Sequence, residues 1–101
     1  SRGLGDVYKR QLLRTSPNDP RLRLGLGMAR VGKGDTKAAI DVFDQLLETN
    51  PGAPVYYGRA IALHKAGQQM ASLRDIDQAI KLDPRNSQYT QMRAIIAAPQ
   101  K

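Results

Sequence analysis

The stretch Gly34–Pro84, GDTKAAIDVFDQLLETNPGAPVYYGRAIALHKAGQQMASLRDIDQAIKLDP, decides the fold. In it one helix-turn-helix unit closes and the next runs its full length. When the chain is slid against itself so that Gly34 falls on Gly67, the identical pairs include Ala29/Ala62, Gly34/Gly67, Ala38/Ala71, Asp44/Asp77, Gln45/Gln78 and Pro51/Pro84. Between them lie apolar pairs of one class: Met28/Ile61, Ile40/Leu73, Phe43/Ile76 and Leu47/Ile80. A fixed offset of this size marks a repeat array, in which each unit buries its apolar face only against its neighbour.

Working outward, 101 residues suffice for one small domain or about three short repeats. Hydrophobic residues make up 41% and charged residues 25%, as in an ordinary folded chain. No apolar run approaches ~18 residues, which argues against a transmembrane helix. The absence of cysteine excludes a disulfide framework and a thiolate metal site, and fits any compartment. The formal charge of +7 raises nucleic acid or an anionic membrane as partners. The cations are scattered, however, with no run longer than Lys9-Arg10, and no aromatic single-strand platform or recognition helix accompanies them. They read as a solvated basic surface.

Residues 1–11, SRGLGDVYKRQ, resemble a translated transposase-type sequencing-library adapter with its mosaic end. The expectation is a non-native segment, set aside from fold reasoning, with the natural sequence starting near Leu12 and already truncated. These residues carry Arg2, Lys9 and Arg10 against Asp6, a net +2 that leaves +5 for the rest. Leu12-Leu13 read as the end of a helix, and residues 12–19 as the tail of a truncated repeat. A repeat is expected over 20–52, another over 53–86, and a capping or partial repeat helix with its tail over 87–101.

Asp19 is a good N-cap and Pro20 suits the first helical position of a helix over Pro20–Val31. Leu22, Leu26 and Ala29 share one face of it; Leu24, Met28 and Val31 make a second stripe. Gly25, Gly27 and Gly32 weaken it by up to ~1 kcal/mol each against alanine, and are expected to serve close helix approach. Asp35 caps a helix over Thr36–Glu48 with the stripe Ala39, Ile40, Phe43, Leu46 and Leu47. Asn50–Pro54 breaks the chain before a helix over Pro54–Lys65 that packs Tyr56, Ala60 and Leu63 inward. Gly67 supplies a left-handed stop. Helices follow over Gln69–Leu82, with Leu73, Ile76, Ala79 and Ile80, and over Ser87–Ala97, with Tyr89, Met92, Arg93 and Ile96.

These residues resemble the tetratricopeptide repeat. That family has an aromatic, a leucine and a small residue on its first helix (helix A) and a glycine at the turn. Its second helix (helix B) carries an alanine, a large apolar residue and another alanine, and a proline closes the unit. The second repeat reads Tyr56, Arg59, Ala60, Leu63, Gly67, Ser72, Ile76, Ala79 and Pro84. The first reads Arg23, Leu26, Gly27, Arg30, Gly34, Ala39, Phe43, Leu46 and Pro51. Arg23, Arg30 and Arg59 stand where apolar residues are usual, and Leu46 where a small one is. The resemblance covers about Leu12 to Asn86. It implies an all-α solenoid of tandem helix-turn-helix repeats, about two complete, with partial helices at each end. Small residues at Gly27, Ala39, Ala60, Ser72 and Ala79 are expected to let helices approach, and Phe43 and Ile76 to fill the space between units.

In this family helix A lines a concave face. Carried over by position, the resemblance implies a partner-binding surface of Arg21, Leu24, Gly25, Met28 and Val31 in the first repeat. The second contributes Tyr57, Gly58, Ile61, His64 and Lys65, and the last helix Gln88, Gln91 and Ile95. The family's clamp for a terminal carboxylate is not expected, because its positions hold Leu24, Met28 and Gly58. The surface is mostly apolar with a basic edge, suited to an extended or helical peptide with apolar anchors and acidic groups. The alternative at these positions is packing against a further helix.

Other chemistry finds less support. Gly27–Gly34 departs at one place from the phosphate-binding G-x-x-x-x-G-K-[ST] loop. Gly34 occupies the place of the magnesium-binding hydroxyl, and the repeat offset already accounts for the stretch. His64 is the only histidine, and a zinc site beside it would need carboxylates alone. Asp75 and Asp77 diverge on one helix; Asp41 and Asp44 share a face with Lys37 nearby and read as a salt-bridged surface. No catalytic residue, metal or cofactor is expected. The function implied is a non-catalytic protein-interaction or scaffold module. Alternatives are the C-terminal tail of a larger enzyme or secretion/assembly component, and weak nucleic-acid binding through the basic balance.

Overall fold

A computed structural model describes residues 19–99. They form five helices: α1 (Pro20–Gly32), α2 (Thr36–Thr49), α3 (Ala53–Lys65), α4 (Gln69–Leu82) and α5 (Ser87–Ala97). Among the described residues there is no strand. The arrangement is all-α and tetratricopeptide-like: α1 and α2 make one antiparallel pair, α3 and α4 the next, and α5 closes on α4. The expected tail of a preceding repeat, Leu12-Leu13 included, lies outside the described residues, as do residues 1–11.

Local chemistry sets the helix ends. Asp19 Oδ1 accepts from the Arg21 amide at 2.9 Å, Asp35 Oδ1 from the Ala38 amide at 3.4 Å and Asn86 Oδ1 from the Gln88 amide at 3.0 Å. Both turns within a pair close alike. The Gly34 amide donates to Val31 and the Asp35 amide to Arg30; one repeat on, Gly67 donates to His64 and Gln68 to Leu63. This six-to-one, five-to-two pattern requires a left-handed residue, and Gly34 (φ 83°) and Gly67 (φ 82°) supply it. α3 starts one residue earlier than expected, at Ala53 behind Gly52, which offers no side-chain cap.

The core has two parts. Val31, Ala39, Phe43, Leu46, Val55 and Ala62 form the first; Ala53, Ala60, Ile76, Ala79, Tyr89 and Ile96 form the second. The small residues expected at helix crossings (Gly27, Ala39, Ala60, Ser72 and Ala79) are all buried. At one crossing the Ser72 hydroxyl donates to the Ala60 carbonyl at 2.7 Å, so α4 and α3 meet with no polar atom left over.

Phe43 holds the first core together. A Cβ built on Gly27 would lie 2.7 Å from its ring, and one built on Gly58 would lie 2.6 Å from it. The ring is therefore seated between α1 and α3 on two bare stretches of helix backbone. The expectation that helix glycines serve close approach holds at Gly27 but not at Gly25 or Gly32, whose Cβ positions meet nothing within 4 Å. The stripe Leu22, Leu26 and Ala29 is not packed: Leu22 is 42% and Leu26 47% exposed, and Ala29 is exposed. No described helix covers that side of α1.

Candidate functional site

Phe43 touches the eighth residue of α1 and the sixth of α3, so these helices meet near their middles. Two contacts then stitch together the face expected to bind partners. Met28 of α1 reaches α3, its sulfur 3.3 Å from where a Gly58 Cβ would sit. Tyr57 of α3 lies against Tyr89 of α5, ring centroids 5.0 Å apart and tilted by 38°, a favourable aromatic geometry. Burial raises the Tyr89 phenol above its ordinary value, helped by the nearby Asp83 carboxylate.

On this face Met28, Lys65, Gln88, Gln91 and Ile95 are exposed, and Leu24, Tyr57, Ile61 and His64 are half-buried. Leu24 and Ile61 lie against the first core and Tyr57 against the second. Val31, placed on this face by the sequence, is only 4% exposed and belongs to the core with Phe43 and Val55. Gly58 is likewise buried, beneath Phe43 and Met28. Arg21 is exposed but spoken for: its Nη2 donates to Asp19 Oδ2 at 3.4 Å. The Arg21 amide and that contact hold the Asp19 carboxyl below its ordinary range.

Charge is distributed unevenly. Residues 19–99 contain eleven lysines and arginines and eight acids, a net +3. The edge where α1 and α3 end and α2 and α4 begin holds Arg30, Lys33, Lys37 and Lys65 against Asp35 alone. The seven remaining cations and seven remaining acids cancel. The whole excess thus sits at one edge, where Lys33, Lys37 and Lys65 are exposed and make no ion pair among the described residues; Arg30 reaches Asp35 only at 3.7 Å. α5 ends there too, since the Gln69 amide side chain donates to the Ile96 carbonyl at 2.7 Å.

The opposite side of α3 carries a network that sequence spacing does not assemble. Arg59 Nε and Nη2 donate to the two oxygens of Asp75 at 2.6 and 2.9 Å, and Nη1 donates to Asp44 at 3.0 Å. Asp75 is buried, and these charge-assisted bonds push Arg59 further above its already high value. The fork lines a 440 Å³ cleft between α2 and α4 with Ile40, Leu63 and Arg74. Asp44, expected on a salt-bridged surface near Lys37, pairs with Arg59 instead, and Asp77 pairs with Arg93. The signal in the sequence is Arg59 itself, a cation at an apolar position.

Among the described residues no group of three metal-ligating side chains converges, and no helix is long and apolar enough to cross a membrane.

Over 52 residues, 50% of this chain, the sequence is 40% identical to the small glutamine-rich tetratricopeptide repeat-containing protein 2 of Mycosarcoma maydis. The aligned part spans 15% of that protein's length. The chain is thus similar to a protein named for these repeats, in agreement with its helical arrangement. No family model matches the chain, and no solved structure gives a significant match.

Proposed function

We propose that this chain is a non-catalytic interaction module that docks a partner polypeptide across the face of α1, α3 and α5. The observation that carries the reading is the continuity of that face. Met28 on Gly58 and Tyr57 on Tyr89 join the three helices into one surface whose centre is apolar. Met28, Tyr57 and Ile61 are the anchors: an aromatic and a flexible thioether supply most contact area for least ordering. The similarity to a tetratricopeptide-containing protein supports a protein partner.

The charge pattern gives the partner an orientation. Arg21 is offset by Asp19, whereas Lys65 stands with Arg30, Lys33 and Lys37. Acidic groups of the partner lie toward that edge and its apolar groups toward Met28 and Tyr57. His64 sits between the two regions.

The test is selection of peptides from a random display library on the immobilised chain. Enriched peptides are expected to pair apolar anchors with an acidic flank. Met28→Glu or Tyr57→Ala should weaken them about tenfold or more. Lys33→Glu with Lys37→Glu should weaken them and flatten the salt dependence. Equal losses from Asp41→Lys or Arg74→Glu, on other surfaces, would refute the assignment. Preferential, steeply salt-dependent capture of oligonucleotides by the same edge would favour nucleic acid instead.

A further inference from the structure

The cleft between α2 and α4 lies on the side of α3 away from the partner face, and the repeat pattern does not dictate its lining. At the offset that sets Gly34 on Gly67, Arg59, Gln68, Arg74 and Asp75 correspond to Leu26, Asp35, Asp41 and Val42. The polar groups of the cleft are thus particular to the second unit. Helices α2 and α4 scarcely touch each other directly. Arg59 of α3 spans the gap between them, spending three of its five N–H groups on Asp75 and Asp44. Ile40, Leu63 and Ala71 supply the apolar part of the lining. Gln68 stands at the N-cap of α4 but makes no side-chain cap bond, which leaves its amide to the cleft that it lines. Arg74 lines the cleft as well, is exposed, and makes no ion pair among the described residues.

We infer that this cleft binds a small organic monoanion: a carboxylate held by Arg74 and Gln68, on an apolar body that covers Ile40, Leu63 and Ala71. The lining selects this class. Its two aspartates and two arginines cancel, and Arg59 is already committed to the aspartates. One negative charge is therefore what Arg74 has left to balance. A phosphate dianion would bring a second charge toward Asp44, which is half exposed, and repulsion would offset the gain. A cation would gain from Asp44 but meet the unpaired Arg74. A guanidinium matches the two oxygens of a carboxylate with paired N–H bonds. The volume of 440 Å³ falls within the range of small-molecule sites, and the apolar groups give an attached ring or short chain a surface to cover. Because the site bridges helices that otherwise meet through Arg59, an occupant tightens the junction between the two units.

The test titrates phenylpropanoate into the isotope-labelled whole chain and follows the amide signals. Saturable shifts are expected at Ile40, Gln68, Ala71 and Arg74, with half-saturation near ~1 mM. Tm should rise by several degrees at saturation. Phenylpropanamide lacks the charge and acetate lacks the apolar body, so each should bind at least about tenfold more weakly. Arg74→Gln should weaken phenylpropanoate about tenfold, with Arg74→Lys between it and the natural chain. Arg74 is exposed and unpaired, so both variants keep the fold. Arg85→Gln, which removes an exposed cation elsewhere, should change nothing. The absence of saturable shifts up to about 20 mM overturns the inference. Equal binding of the amide, indifference to Arg74→Gln, or shifts centred on Lys33 and Lys37 would do the same. Tighter binding of inorganic phosphate than of phenylpropanoate also overturns it, and would assign the cleft to a phosphoanion.

Discussion

Phe43 shows how much one side chain can decide. Its ring is fully buried between Gly27 and Gly58, so it has no direction in which to yield. Gly27→Ala and Gly58→Ala should therefore each destabilise the fold by about 1–3 kcal/mol, despite the helix propensity that alanine adds. Gly25→Ala, with nothing near its Cβ, should instead stabilise by up to ~1 kcal/mol; thermal unfolding of the three variants tests the opposite signs. The sequence shows three glycines in one weak helix and no reason to separate them, because the difference lies in what α2 and α3 bring alongside. Tyr89 gives a second check. Burial favours its neutral phenol in the fold, so the folded state holds that proton to higher pH than the unfolded chain. Stability from this group is intact below the ordinary value of 10.0 and falls as pH rises past it. In a titration followed at 295 nm the Tyr89 phenol should ionise late, and Tyr89→Phe should remove that phase.

Pairs of helices are joined by polar contacts placed where the repeat pattern calls for apolar ones. Each of the three unusual arginines finds a partner on a second helix or at its cap: Arg23 donates to Gln45 at 2.7 Å, Arg30 meets Asp35, and Arg59 grips Asp75 and Asp44. The two aspartates held by Arg59 should respond differently to removal. Asp75 is buried, so Asp75→Ala leaves Arg59 with Asp44 alone and should cost about 2–3 kcal/mol, below the ~3–5 of a fully enclosed pair because Arg59 keeps that partner and some solvent. Asp44 is half exposed, and Asp44→Ala should stay within about 1 kcal/mol. Replacing Arg59 and Asp75 together by leucine should recover most of the larger loss. Urea midpoints at unchanged slope measure all three. The helices themselves were legible almost to the residue, since caps, glycine turns and apolar periodicity agreed. The arginine partners were not, because pairing across helices depends on how the pairs cross.

Over the whole molecule, protection should be graded. Helix α3 packs against α1, α2 and α4, while α1 has an open side and α5 packs mainly on α4. Native-state hydrogen exchange is expected to be slowest in α3 and α4 and fastest in α1 and α5, as for a stack stabilised by its nearest neighbours. The repeat offset made the array legible; the burial of Val31 and the exposure of Leu22 were not, since both depend on which neighbours are present. The seat of Phe43 also bears on splicing. Because its ring rests on its own first helix and on that of the following repeat, the self-sufficient cassette is not the stretch from one proline to the next. Two copies of residues 20–52 in series would bring Gly25 beneath the first copy's ring and fit. The same stretch grafted directly ahead of α5 would present Met92, the sixth residue of α5 as Gly58 is of α3. Met92 packs against the second core, and the ring would have nowhere to go. A chimera therefore keeps the seat of Phe43 when residues 20–65 are inherited as one block.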